Sequence, residues 1–310
     1  MKSHHFLSYC LSTPWALMPE RMSAYAAVLA QRYLVRDGLK ADVEDEGPAG
    51  VSISAGPRNT GARQGAIAVI PVHGTIVQRS SQIDICEGGT STEYVGAALQ
   101  QALADETIAQ ILLDVDSPGG SVFGVAELAD EIRAARAQKP IVAIANSMAA
   151  SAAYWIGCSA SEFYMTPGGQ VGSIGVWTAH EDWSKALETA GVNITLISAG
   201  KYKTEGHPYG PLDEEAKANT QKGVDTYYGM FTKAVAKGRN VPIDAVRGGM
   251  GQGRVLGADD AMAEKMVDGV MTMNEVIRKM QRAQPARSGG RSARANHNTL
   301  RLLEAGANLG

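Results

Sequence analysis

From residue 66 to residue 157, apolar runs short enough to be strands alternate with stretches long enough to be helices. That alternation constrains the fold more than any other feature of the chain. The run AIAVIPVHGTIV (66–77) reads as a buried strand and a turn. A helix over about 91–104, the strand IAQILLDVDSP, a helix over 122–137, the strand PIVAIANS and a helix after Ser151 follow in order. Strands nearly continuous in Val, Ile, Leu and Ala are buried on both faces, and strands joined through helices run parallel with right-handed crossovers. The expectation is an α/β chain with a mostly parallel sheet covered by helices.

Further along, SEFYMTPGGQVGSIGVW predicts two short strands around a Gly-rich turn, and VNITLISAGKY predicts another strand. Pro211 and Leu212 lead into an acidic first turn, so Asp213 to about Gly238 reads as a long helix. GRVLGADDAMAEKMVDGV reads as a short strand, a helix and an exit strand. Residues 15–38 carry helical spacing through Met22, Ala26, Leu29 and Tyr33 and stop at Gly38, before a polar linker over 39–65. After Gln281, Arg282, Arg287, Arg291, Arg294 and Arg301 stand among Ser, Gly, Ala and Asn, so a disordered basic tail is expected, apart from the LRLL patch at 300–303. The chain then divides into an N-terminal helical segment with linker (1–65), one α/β domain (66–280) and the tail (281–310).

A net charge of −3 offers no general attraction to nucleic acid or anionic lipid. Cys10, Cys86 and Cys158 are odd in number and far apart, so neither a disulfide framework nor a zinc site is expected, and a reducing compartment fits. No metal or other cofactor is called for. The N-terminus lacks the unbroken apolar region of a secretory signal, and nowhere do about 18 apolar residues run together. No membrane span and a cytoplasmic location are the expectation.

Two segments could carry chemistry. DSPGGSV, Asp116 to Val122, follows a strand and precedes a helix, where open α/β sheets place their ligand sites. Its Pro-Gly-Gly turn leaves amides uncovered, which suits an oxyanion hole or a phosphate nest, or is a plain turn. Ser151 also stands between a strand and a helix, with Ala149, Ala150, Ala152 and Ala153 around it. Such a serine is either a helix cap or a nucleophile whose small neighbours admit a substrate carbonyl. A nucleophile needs a base, and the residues leave three open: His180 in TAHED, and Lys201 or Lys203 in SAGKYKTEG. A lysine serves only when desolvation disfavours its ammonium form.

SPGGSV, NSMAASAAYW, TPGGQVGSIGV, GKYKTEGHP and GRVLGADDAMAEKMVDGV, in this order and spacing, resemble the S49 serine peptidases, the signal peptide peptidase A-like family with its phage relatives and ClpP/crotonase-like fold. The resemblance covers about 66–275. It implies Ser151 as nucleophile, Lys203 in the fourth position of GKYK as base, and Ser173 in VGSIGV as the serine that hydrogen-bonds the lysine. It also implies oxyanion amides at Gly120 and Ala152, and no counterpart for His180. Family members often have glycines where this chain has Ala152 and Ala153, and alanine keeps the N–H.

The segment PWALMPERMSAYAAVLAQRYL and the Arg-rich tail resemble phage and prophage prohead proteases, which implies a polypeptide substrate among scaffold or capsid proteins, an enzyme inside assembling proheads and a homo-oligomer. Alternatives are a soluble bacterial peptidase of the same family that clears peptide remnants, a silent assembly protein with this fold, or a crotonase-type acyl-CoA enzyme. The paired Ser151 and Lys203 argue against the last two.

Overall fold

A computed structural model describes residues 14–18, 65–80, 89–283 and 300–302. Its strands are β1 (Trp15–Leu17), β2 (Ala66–His73), β3 (Thr75–Val77), β4 (Gly89–Ser91), β5 (Ile108–Ser117), β6 (Gly119–Ser121), β7 (Ile141–Ala150), β8 (Glu162–Met165), β9 (Gln170–Gly172), β10 (Val255–Leu256), β11 (Gly269–Val270) and β12 (Leu300–Leu302). The helices are α1 (Thr92–Ala104), α2 (Val125–Ala135), α3 (Ala152–Gly157), α4 (Ser184–Thr189), α5 (Glu214–Arg239), α6 (Ile243–Gly248), α7 (Ala258–Ala263) and α8 (Met273–Arg282), with a 3-10 turn at Met250–Gly253.

The expected α/β architecture is present. The central sheet runs β10-β9-β7-β5-β2-β12, with β8 beside β7 and β11 beside β8; every pair but β10/β9 is parallel. Alternation along the strands supplies two apolar faces. Ile111, Leu113 and Val115 of β5 join the larger core, to which α1 and α2 contribute. Leu112, with Val142, Ile144 and Tyr164, packs on Val276, Ile277 and Met280 of α8. Caps set the helix ends: Ser91 accepts from the Tyr94 N–H at the start of α1, and Asp213 from the Ala216 N–H at the start of α5. Asn240 closes α5 in the left-handed conformation.

A smaller four-stranded sheet, β1-β6-β3-β4, stands beside the larger one. β2 turns into β3 at Gly74, whose φ of 68° suits glycine.

Three sequence expectations need correction. Trp15–Leu17 is a buried strand paired with β6, so the helical reading fails over those residues; the remainder of the expected helix and linker lies outside the described residues. Three consecutive backbone pairings with β6 and burial of all three side chains override a weak helical periodicity. The stretch after Val192 is no strand: no strand among the described residues pairs with it, and Ile194, Leu196 and Ile197 are exposed. At the start of the tail, α8 continues to Arg282, past the expected domain end at 280, and Leu300–Leu302, in the LRLL patch set apart from the expected disorder, add to the edge of β2 as a parallel strand. An open parallel edge is a ready site for strand addition.

Candidate active site

β7 ends at Ala150 and α3 begins at Ala152, leaving Ser151 alone at the turn between them. Its backbone is strained, with φ 56° and ψ −119°, outside the extended conformation of a capping residue. Its side chain makes no capping hydrogen bond. The plain cap reading is therefore disfavoured, and a strand-to-helix elbow presenting a hydroxyl is the better description. Ala149, Ala150, Ala152 and Ala153 are all fully buried around it.

Neighbouring elements hold the elbow. The Ser151 N–H donates to the Gly172 carbonyl at 2.7 Å, and the Trp155 N–H donates to the Ser151 carbonyl at 3.0 Å. The Trp155 ring stacks on Phe231 of α5, centroids 4.7 Å apart and planes 6° from parallel. Tyr154 donates its hydroxyl to the Met266 carbonyl at 2.9 Å. The short helix behind Ser151 is thus pinned on two sides.

Gly119 closes the near side. With φ 97° it adopts a conformation that side chains resist, and a Cβ there would lie 2.9 Å from Ser151 Cβ. A Cβ on Gly120 would lie 1.8 Å from the Ile76 carbonyl oxygen, so both glycines of the Pro-Gly-Gly turn answer a steric demand. The Ala152 N–H opens α3, where a first-turn amide has no partner within the helix. Ser173, buried and at φ 52°, directly follows the Gly172 that binds Ser151. Ser151, Ser173, Gly120 and Ala152 therefore sit on elements that meet at one place.

None of the three candidate bases hydrogen-bonds Ser151 among the described residues. His180 points a ring nitrogen at the Gly210 carbonyl, 3.2 Å away, and no carboxylate among the described residues hydrogen-bonds it to complete a triad. Lys201 is held by the Tyr202 hydroxyl at 2.7 Å and by Glu215 at 3.1 Å; these contacts raise its pKa and keep it an ammonium ion. Lys203 is exposed, and its ammonium has no hydrogen bond or ion pair among the described residues. Of the two lysines, only Lys203 is unengaged, yet this chain alone does not bury it. Cys158 is no rival nucleophile: burial pushes its thiol up to about 12.

Sequence reasoning missed one neighbour of the site. β1 lies along β6 in the register Trp15↔Ser121, Ala16↔Gly120, Leu17↔Gly119. On its other side, Trp15 and Trp177 exchange backbone hydrogen bonds of 2.9 and 3.0 Å, and Trp177 Nε1 donates to the Leu17 carbonyl at 2.8 Å. Only the apolar run Trp-Ala-Leu signals this strand, and three residues are too few to show a period.

Residues 133–287, which include Ser151, Ser173 and Lys203, match peptidase family S49. The chain belongs to peptidase family S49. It is 32% identical to the capsid assembly protease C of Escherichia phage lambda over 309 residues, 95% of this chain and 70% of that protein. Similarity to the head-tail preconnector protein GP5 of Enterobacteria phage P21 is 39% over 182 residues, 59% of this chain and 36% of that one. A putative signal peptide peptidase of Enterococcus faecium is 31% identical over 171 residues, 55% of this chain and 49% of its own. No helix among the described residues is long and apolar enough to cross a membrane.

Proposed function

We propose that this S49 peptidase is a serine endopeptidase that cleaves scaffold or other head proteins during phage capsid maturation. The observation that carries the reading is the strained Ser151 elbow, uncapping and enclosed by alanines, with Gly119 and Ser173 beside it. Likeness to a phage capsid assembly protease over 95% of the chain supports the biological setting.

In this reading neutral Lys203 takes the proton of the Ser151 hydroxyl as Oγ attacks the substrate carbonyl carbon. The developing oxyanion is met by the Gly120 and Ala152 amides, each a donor of a kind worth roughly 10²–10³ in rate. The lysine then returns its proton to the departing amine. Water then attacks the acyl carbon, giving its proton to the same lysine, which passes it to Ser151 Oγ as the carbon–oxygen bond breaks and the acid is released. Ser173 hydrogen-bonds the lysine and holds it in place.

Lys203 must lose its water to do this, and its surroundings indicate how. The same arm exposes Trp183, Val192, Ile194, Leu196 and Ile197, the last 94% exposed. Exposed apolar residues in such number mark a surface that becomes buried. A homo-oligomer that covers this arm would also desolvate Lys203 beside a Ser151.

Ser151→Ala tests the nucleophile. Hydrolysis of casein or a short peptide should vanish while the melting curve stays in place, because one oxygen is removed from a turn already rich in alanine. Retained cleavage would move the nucleophile elsewhere.

A further inference from the structure

We propose that Pro14–Met18 is an internal occupant of the substrate groove, so that the folded chain is a protease blocked by its own N-terminal strand until a substrate displaces it. This inference rests on Ser151 being the nucleophile. A peptide cut at Ser151 must lie extended beside it, with one carbonyl turned toward the oxyanion amides. The glycine edge of β6 is the available edge for such a strand, since backbone pairing to an open edge is how extended peptides are commonly bound.

β1 fills that edge. The Met18 N–H donates to the Pro118 carbonyl at 3.2 Å, and the Val122 N–H donates to the Pro14 carbonyl at 3.3 Å. These bonds lie two residues to either side of the Ala16↔Gly120 pair, which puts that pair in the hydrogen-bonded class of an antiparallel ladder. The Gly120 amide, the proposed oxyanion donor, therefore faces the Ala16 carbonyl. The point where a Cβ on Gly119 would sit lies 2.2 Å from the Ala16 carbonyl oxygen and 2.9 Å from Ser151 Cβ. Ala16 thus presents its carbonyl where a substrate's must be.

The opposite edge of the groove is Trp177, which holds β1 by two backbone bonds and one indole bond. Trp15, Ala16 and Leu17 are all buried, so the groove grips side chains as well as backbone. The small central residue follows from the closeness of Gly119 and Ser151, and the flanking positions take large apolar groups. Any entering substrate competes with a strand that is always present at high local concentration.

The test pins and releases the strand. Trp15→Cys with Ser121→Cys, directly opposed in the ladder, should form a reducible cross-link. Oxidised, the double variant should hydrolyse peptide at a small fraction of its reduced rate, with the single variants insensitive to reductant. Ala16→Asp should release the strand, because a charged side chain has no room at a fully buried position. In a Ser151→Ala background, a labelled peptide of sequence PWALMPE should bind the Ala16→Asp variant at least about tenfold more tightly than its parent, if the groove is vacant a tenth of the time or less. Equal rates for oxidised and reduced forms would overturn the proposal while leaving the protease reading intact. If no form hydrolyses peptide, the protease reading fails and the binding comparison alone decides: tighter binding to Ala16→Asp upholds the occupied groove, and equal binding overturns it.

Discussion

The amide of Ser151 is bonded to the carbonyl of Gly172 at 2.7 Å, so the candidate nucleophile and the strand leading to Ser173 move as one unit. Lys203 stands outside that unit on an exposed arm. The fold of this chain holds the serine side of the proposed machinery in place, whereas the surroundings of Lys203 depend on what covers its exposed segment.

Lys203→Ala should abolish peptide hydrolysis as completely as Ser151→Ala, because members of a catalytic unit fail together. Lys201→Ala and His180→Ala should retain most of the rate, since Lys201 is committed to Tyr202 and Glu215 and His180 to the Gly210 carbonyl. Steady-state rates for the three variants decide. A dead His180→Ala beside an active Lys203→Ala would restore the triad reading.

Gly119→Ala should unsettle the site from within. The left-handed backbone alone costs a side chain roughly 1–2 kcal/mol. The new Cβ would also fall 2.2 Å from the Ala16 carbonyl oxygen and 2.9 Å from Ser151 Cβ. A lowered melting temperature together with lost hydrolysis is the expected outcome, read by calorimetry and a peptide assay.

Phe231→Ala should lower stability by about 3–5 kcal/mol in urea unfolding, the usual cost of emptying a large aromatic site. It should also reduce turnover, because Phe231 is the surface against which Trp155 fixes the helix behind Ser151.

Arg239 and Asp268 give a pH-dependent contribution. Burial pushes the Asp268 carboxyl up, but the Arg239 guanidinium and the Phe163 N–H outweigh it and hold the carboxyl below its ordinary value of 3.8. A depressed carboxylate stabilises the fold above its unfolded pKa and ceases to do so as pH falls through the folded value. Asp268→Asn should therefore cost about 2 kcal/mol near neutrality, less than a fully buried pair because Asp268 is partly exposed. The gap to the parent should close below pH 3.8, as urea unfolding across pH would show.

Much of the architecture was legible in the chain. The runs AIAVIPVHGTIV, IAQILLDVDSP and PIVAIANS became β2 with β3, β5 and β7, the last running on to Ala150, and the helical stretches between them became α1 and α2. The long helix began at its acidic turn after Asp213 as read. These features are local: a strand or helix of ten residues carries enough periodicity to announce itself, and the Gly-Gly-Ser turn at 119–121 and the alanine-flanked Ser151 stand out by their own residues. The family resemblance, from the same motifs, likewise pointed to peptidase family S49, to which the chain belongs.

Only the tertiary structure decided what depends on distant partners. Trp15–Leu17 became a strand because β6, about a hundred residues away, offered an edge and burial that no local pattern encodes. The residues after Val192 look equally strand-like in sequence, but no edge among the described residues met them. Lys201 and Lys203, two residues apart, were separated by Glu215, which engaged the first and left the second. Apolar content sets which segments can pair, but a strand's hydrogen bonds are made to another segment, so whether it forms is settled by the assembled fold.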